Sequence, residues 1–326
     1  MLCVHHFSMS TRDKAREELF ISTTHCSIVQ LSRMFSVLWM VFDVFIFLTV
    51  SVIAALLAFD QLGIKPAVNG FFCRDENLMY PYRLSSIPAE LVAFLFVLMP
   101  FVLMTGIEAI RHYHFRPKDT GWNCTWYWDT CYKTAGVFLF GMSVTVLLGE
   151  ITKLAVGRLR PHFLDVCKPD YNKTNCFSDN IPIYVDVGDQ HCQGNEVSLL
   201  ADARKSFPFI HAAMAFYAVV YLNIYLQVRL KWRKVMLLRP AIQALYIGLA
   251  IYIACSGVAD HRHYWSDAVG GALLGATVAI LTVCFVSTLL DKWIRQDKLC
   301  NMQRNTYYKE IAIENDNAKR VPLLVF

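Results

Sequence analysis

The sequence predicts an all-α membrane protein, a bundle of six transmembrane helices. Three observations carry that prediction. Of its residues 56% are hydrophobic and only 17% charged, a balance that suits a chain bathed in lipid. Six apolar runs approach the roughly 20 residues needed to cross about 30 Å of hydrocarbon as helix. Helices that hydrogen-bond internally are also the economical way to satisfy so much backbone away from water. The net charge of +5 is spread over loops and tails. It reads as orientation information, not as a nucleic-acid footprint, and no nucleic-acid partner is expected.

Residues 1–35 carry Arg12, Lys14, Arg16, Glu17 and Glu18 and show no apolar core beside a small-residue cleavage site. They are expected to be a cytoplasmic tail, with the first span as the targeting signal. The six-span domain is expected over 36–292, its spans near 37–59, 88–110, 135–154, 207–227, 238–256 and 266–290. Asp43, Glu90, Glu108 and Glu150 fall in or near these spans and are expected to face the bundle or an interface. The remainder, 293–326, is polar and mixed in charge from Arg304 to Arg320, the composition of a flexible cytoplasmic tail.

An even number of spans puts both termini on one side. The tails with loops 111–134 and 228–237 plus Arg239 hold twenty Lys and Arg, and the other three loops hold ten. That bias places both termini in the cytoplasm and loops 60–87, 155–206 and 257–265 on the exoplasmic side. Asn172-Lys-Thr174 is then a glycosylation sequon on a side where it can be used, whereas Asn123-Cys-Thr125 faces the cytoplasm. Among eleven cysteines no CxxC or Cys/His spacing points to a structural zinc. Cys73, Cys167, Cys176 and Cys192 fall on the oxidising side, where disulfides are expected without the pairing being readable.

Three polar stretches lie at span ends on that exoplasmic side. Lys153-Leu-Ala-Val-Gly-Arg-Leu-Arg-Pro161 places Lys153 and Arg160 seven residues apart, about two helical turns, so both can project to one side as a phosphate clamp. A snorkelling collar at the membrane surface is the plainer reading of the same pair. In Ala203-Arg-Lys-Ser-Phe-Pro-Phe-Ile-His-Ala-Ala213, His211 opens a span as a candidate general acid. In Ser256-Gly-Val-Ala-Asp-His-Arg-His-Tyr-Trp-Ser-Asp267, a helix from Trp265 would let the Asp267 carboxylate reach one nitrogen of His263 and leave the other aimed outward. An interfacial His and a helix-starting Asp would read the same way in isolation. Three such sites on one face make a stronger pattern than any of them alone.

Lys-x6-Arg-Pro, a His opening the next span, and His-x3-Asp before the last span together resemble the type-2 phosphatidic acid phosphatase superfamily. Within it the likeness is to lipid phosphate phosphatases of the insect wunen type, over about residues 30–295. The resemblance implies a six-helix membrane fold and a metal-independent phosphatase without cofactor, acting on phosphatidate, lysophosphatidate or sphingosine phosphate. It implies phosphate-binding roles for Lys153 and Arg160, the nucleophile in His263, its orienting carboxylate in Asp267 and the leaving-group acid in His211. A plasma-membrane location and a homo- or hetero-dimer with family members follow from the same likeness.

The chain departs from the family's Pro-Ser-Gly-His and Ser-Arg-x5-His-x3-Asp motifs at three positions. Phe209 and Ile210 stand for Ser and Gly, and Gly257 stands for Arg. One preorganised donor is typically worth about 10² to 10³ in rate, so two lost side-chain donors would cost about 10⁴ to 10⁶. Arg262, Arg204 and Lys205 are the nearby candidates to restore charge. Three readings follow: an active phosphatase of narrowed scope, an impaired relative that binds lipid phosphates or partners with active paralogues, and a non-enzymatic membrane scaffold.

Overall fold

The computed structural model describes residues 38–73, 75–114, 124–170, 177–178, 181–182, 184–186, 192–194, 196–230 and 237–287. Both tails, Asn123, Asn172 and Cys176 lie outside them. Six helices are long and apolar enough to cross a membrane: α1 Leu38–Ala58, α2 Ala89–His114, α3 Tyr127–Val156, α6 Ile210–Arg229, α7 Leu238–Ala259 and α8 Trp265–Val286. Between α3 and α6 lie two short helices, α4 Phe163–Cys167 and α5 Val197–Asp202. Of the described residues, 38–52 fall in one compact unit and those from Ile53 on in another, which holds the candidate site.

Helix α6 is the hub of the second unit. Tyr217, Tyr221 and Tyr225, spaced four apart on one face, are fully buried. Each hydroxyl finds a carbonyl on a neighbouring helix, donating to Phe138 O at 2.9 Å, Thr134 O at 2.9 Å and Met104 O at 3.2 Å, as buried phenols must. Against the first turns of α6, helix α8 presents Gly271 and Gly275, a small-x3-small stripe that lets two backbones touch. A Cβ at Gly271 would strike the Phe209 carbonyl, and one at Gly275 the Ala213 carbonyl.

Several boundaries differ from the hydropathy reading. Helix α3 begins eight residues early because Tyr127–Lys133 is too polar to register as apolar, yet Asp129 and Lys133 pair at 2.7 Å in helical i,i+4 spacing. It ends at Gly157, whose φ of 59° and N–H bond to Lys153 O make a left-handed C-cap. Pro208 holds the start of α6 back to Ile210, and α7 runs three residues further, to Ala259. Within α2 a π-turn, Phe94–Leu98, precedes Pro100, whose ring cannot tolerate the Phe96 carbonyl in ordinary helix. Of the four acidic residues expected to face inward, Glu108 and Glu150 are buried, while Asp43 and Glu90 are exposed.

The three loops assigned to one face do meet. Ala67 N–H donates to Leu154 O, Tyr80 N–H to Pro161 O and Ser86 to both oxygens of Asp260. They enclose a small apolar core of their own around Phe71, Leu159, Phe163 and Leu200. A two-residue strand Phe71–Phe72 pairs with Tyr184–Val185, and a disulfide joins Cys167 to Cys192. Cys73 is disulfide-bonded as well. This layer caps the ends of α3, α6, α7 and α8, and the candidate site lies beneath it.

Candidate active site

Helix α7 unwinds at Ala259 into a turn in which His261 takes φ 53° and the N–H groups of Arg262 and His263 both donate to Gly257 O at 3.2 Å. The turn aims His263 at the end of α6. Its Nδ1–H donates to the Ser206 carbonyl at 2.8 Å, which fixes the tautomer and leaves the Nε2 lone pair unengaged among the described residues. Burial, reinforced by the charges of Arg160 and Lys153, pushes the imidazole pKa down to about 3 against the opposing pull of Asp267. His263 is therefore neutral at pH 7, the protonation state a nitrogen nucleophile needs.

Asp267 is fully buried in the first turn of α8, and both oxygens of its carboxylate accept hydrogen bonds. Oδ2 accepts from Ser206 Oγ at 2.6 Å and from Tyr264 N at 3.1 Å; Oδ1 accepts from Arg158 Nη1 at 2.6 Å. The expected direct bond to His263 is absent: Nδ1 stands 3.9 Å from Oδ2, close enough for charge but too far for a hydrogen bond. Ser206 intervenes, its hydroxyl on the Asp and its carbonyl on the His. The carboxylate orients the ring through the serine.

Lys153 and Arg160 also reach the site, though not along one helix as the spacing implied. Gly157 stops α3 first, and Arg160 arrives from the following loop with its N–H on Ala203 O. Lys153 is paired with Glu150 at 2.8 Å. Arg160 pairs through Nη2 with Asp202 at 2.7 Å, while its buried Nε and Nη1 have no hydrogen-bond partner. Two buried guanidinium donors left open suit an oxyanion. Half-buried His211, one residue into α6, lies within the field of Lys153, Arg160 and Arg262. Lys153, Arg160, His211, His263 and Asp267 thus share one cluster. Among the described residues no group of three or more His, Cys, Asp and Glu side chains is placed to hold a metal ion.

The three departures from the family motifs turn out to be packed against compensating residues. Ile210 does not crowd the site: its Cδ1 fills the space over Gly149 of α3, where any Cβ would collide with it. Phe209 stacks on the His263 ring at 4.2 Å between centroids and 28° between planes. The same phenyl ring stands 2.6 Å from where a Cβ at Gly257 would lie. Phe209 and Gly257 are therefore one exchange: with the ring in this place, residue 257 has no room for a side chain. Stacking covers a face of the imidazole and leaves its edge, where Nε2 reacts, uncovered.

A sequence model described as the PAP2 superfamily matches residues 134–291, which hold every one of these side chains. Over 222 residues, 68% of this chain and 76% of the relative, the sequence is 38% identical to phospholipid phosphatase 1 of Rattus norvegicus. The chain belongs to the PAP2 superfamily. Its identity to phospholipid phosphatase 2 of Homo sapiens is 36% over 247 residues, 74% of this chain and 83% of that protein. To phospholipid phosphatase 2 of Rattus norvegicus it is 38% over 259 residues, 79% and 86%. No solved structure matches. As a PAP2 protein it is an integral membrane member of the lipid phosphate phosphatases.

Motif reading missed four residues of this PAP2 site. Arg158 and Ser206 stand inside the polar stretches singled out from sequence, and Glu150 lies one turn before Lys153. Asp202 offered no signal, since only loop closure brings it to Arg160.

Proposed function

We propose that the chain dephosphorylates phosphatidate, lysophosphatidate or sphingosine phosphate at the exoplasmic face of the plasma membrane, with both termini cytoplasmic. The acyl chains stay between the helices and the phosphate rises to Arg160 and Lys153. The Nε2 lone pair of His263 attacks phosphorus, the P–O bond to the lipid breaks, and His211, which takes up a proton when the phosphate's negative charge offsets the surrounding cations, gives that proton to the departing alkoxide. Water then attacks the phosphohistidine, with His211 taking its proton and His263 leaving as neutral imidazole. The basic groups supply the electrostatic stabilisation of the phosphoryl group. The observation that carries this reading is the pairing of a neutral His263, held by Ser206 through Nδ1, with the open Nε and Nη1 of Arg160.

A second reading, an impaired relative that holds lipid phosphates or partners with active paralogues, is favoured by the absence of any side chain at Gly257. Phosphate release from lysophosphatidate in micelles, by the purified protein beside its His263→Ala variant, separates the two. Release that vanishes with the substitution supports catalysis. Binding without release in either supports the second reading.

A further inference from the structure

With Phe209 occupying the approach to position 257, the charge the family motif places there must come from elsewhere or be lost. Of the three candidates, Lys205 is bonded to Asp60, and Arg204 lies over the Phe163 ring with Cζ 5.0 Å from its centroid. Arg262 alone joins the cluster. We propose that Arg262 is the second guanidinium of the phosphate site, in place of the side chain that Gly257 lacks. The proposal rests on the reading of Arg160 and His263 given above.

The backbone brings Arg262 to the right place. Its N–H is bonded to Gly257 O, so the residue begins one hydrogen bond from the vacated position. Asp202 then sets two guanidinium groups side by side, Oδ1 on Arg160 at 2.7 Å and Oδ2 facing Arg262 Nη2 at 3.6 Å. One carboxylate between two arginines offsets the repulsion that would otherwise part them. The longer contact, together with a marginal 3.4 Å bond from Nη1 to Arg83 O, leaves Arg262 only loosely committed.

Charge balance gives the arrangement its purpose. Lys153 is matched by Glu150, Arg158 by Asp267 and Arg160 by Asp202. The surplus positive charge of this cluster is that of Arg262, and a phosphate needs a surplus. The side chain of Arg262 is also more exposed than that of Arg160, 19% against 5%, as befits the first cation met by an incoming headgroup. A charge-assisted hydrogen bond of this kind changes affinity about 10- to 100-fold.

Full-length His263→Ala protein in detergent micelles serves as parent, because it can bind lysophosphatidate without consuming it. Equilibrium binding of radiolabelled lysophosphatidate should weaken about 10- to 100-fold on adding Arg262→Gln, and most of the loss should return with Arg262→Lys. Binding of monoacylglycerol, which lacks the phosphate, should not change in either. Adding Phe209→Ser with Gly257→Arg to the Arg262→Gln protein should restore affinity, since Arg can then extend into the space the ring leaves. Unchanged affinity in Arg262→Gln, with affinity lost in Arg160→Gln, would overturn the role of Arg262 and leave the wider reading standing. A parent that binds no lysophosphatidate would overturn both.

Discussion

At the scale of single residues the account turns on a serine that family motifs do not place in the chemistry. Ser206 touches Asp267 with its hydroxyl and His263 with its carbonyl. Ser206→Ala should remove the first contact and keep the second. Losing a hydrogen bond to a buried carboxylate costs about 1–3 kcal/mol. The expected result is a turnover rate reduced by about 10- to 100-fold with little change in KM, read from lysophosphatidate kinetics. His263 also makes stability depend on pH. Its folded pKa of about 3 lies below the value of 6.5 for an unburied imidazole, so the native state keeps the ring neutral where the unfolded chain would protonate it. That contribution is complete above pH 6.5 and declines as pH falls towards 3. In His263→Gln, which cannot titrate there, the fall in Tm between pH 6.5 and 4 should be shallower than in the unaltered protein.

At the scale of elements the critical contact is between α6 and α8. Gly275 faces the Ala213 carbonyl and Tyr217 backbone nitrogen, and backbone atoms cannot swing aside as a side chain can. Gly275→Val should therefore cost about 1–3 kcal/mol or more by overpacking and displace the start of α6, which carries His211. Gly149→Ala meets side-chain atoms alone, of Ile210 and Leu274, and should cost less. Thermal unfolding in micelles orders the two variants. Much of this level was readable in the sequence. Six spans were visible because lipid demands long apolar runs, but the spacing carried the Lys153 helix on to Arg160, past its actual stop at Gly157, and began α6 at residue 207, ahead of Pro208. The early start of α3 was hidden because its first turns are amphipathic and aromatic.

The site was legible in part, for a reason that belongs to the whole molecule. Lys153, Arg160, His211, His263 and Asp267 stand in short local patterns. The partners that tune them are distant in sequence: Arg158 meets Asp267 across 109 residues, Ser206 meets it across 61, and Asp202 meets Arg160 across 42. Only the closed loop layer brings them together. That layer gathers the three loops assigned to the exoplasmic side, so orientation can be tested on it. In a glycosylating host, Asn172→Gln should abolish a glycosidase-sensitive shift in electrophoretic mobility, and Asn123→Gln should leave it intact.

The measurement closest to the central claim is a chemical trap. The protein is mixed with lysophosphatidate carrying labelled phosphate, quenched in alkali within the first turnovers, and digested for peptide mapping. The account predicts an acid-labile label on His263 that decays as inorganic phosphate appears. Phosphate released at full rate with no label on the protein, or with the label on a different residue, would contradict it.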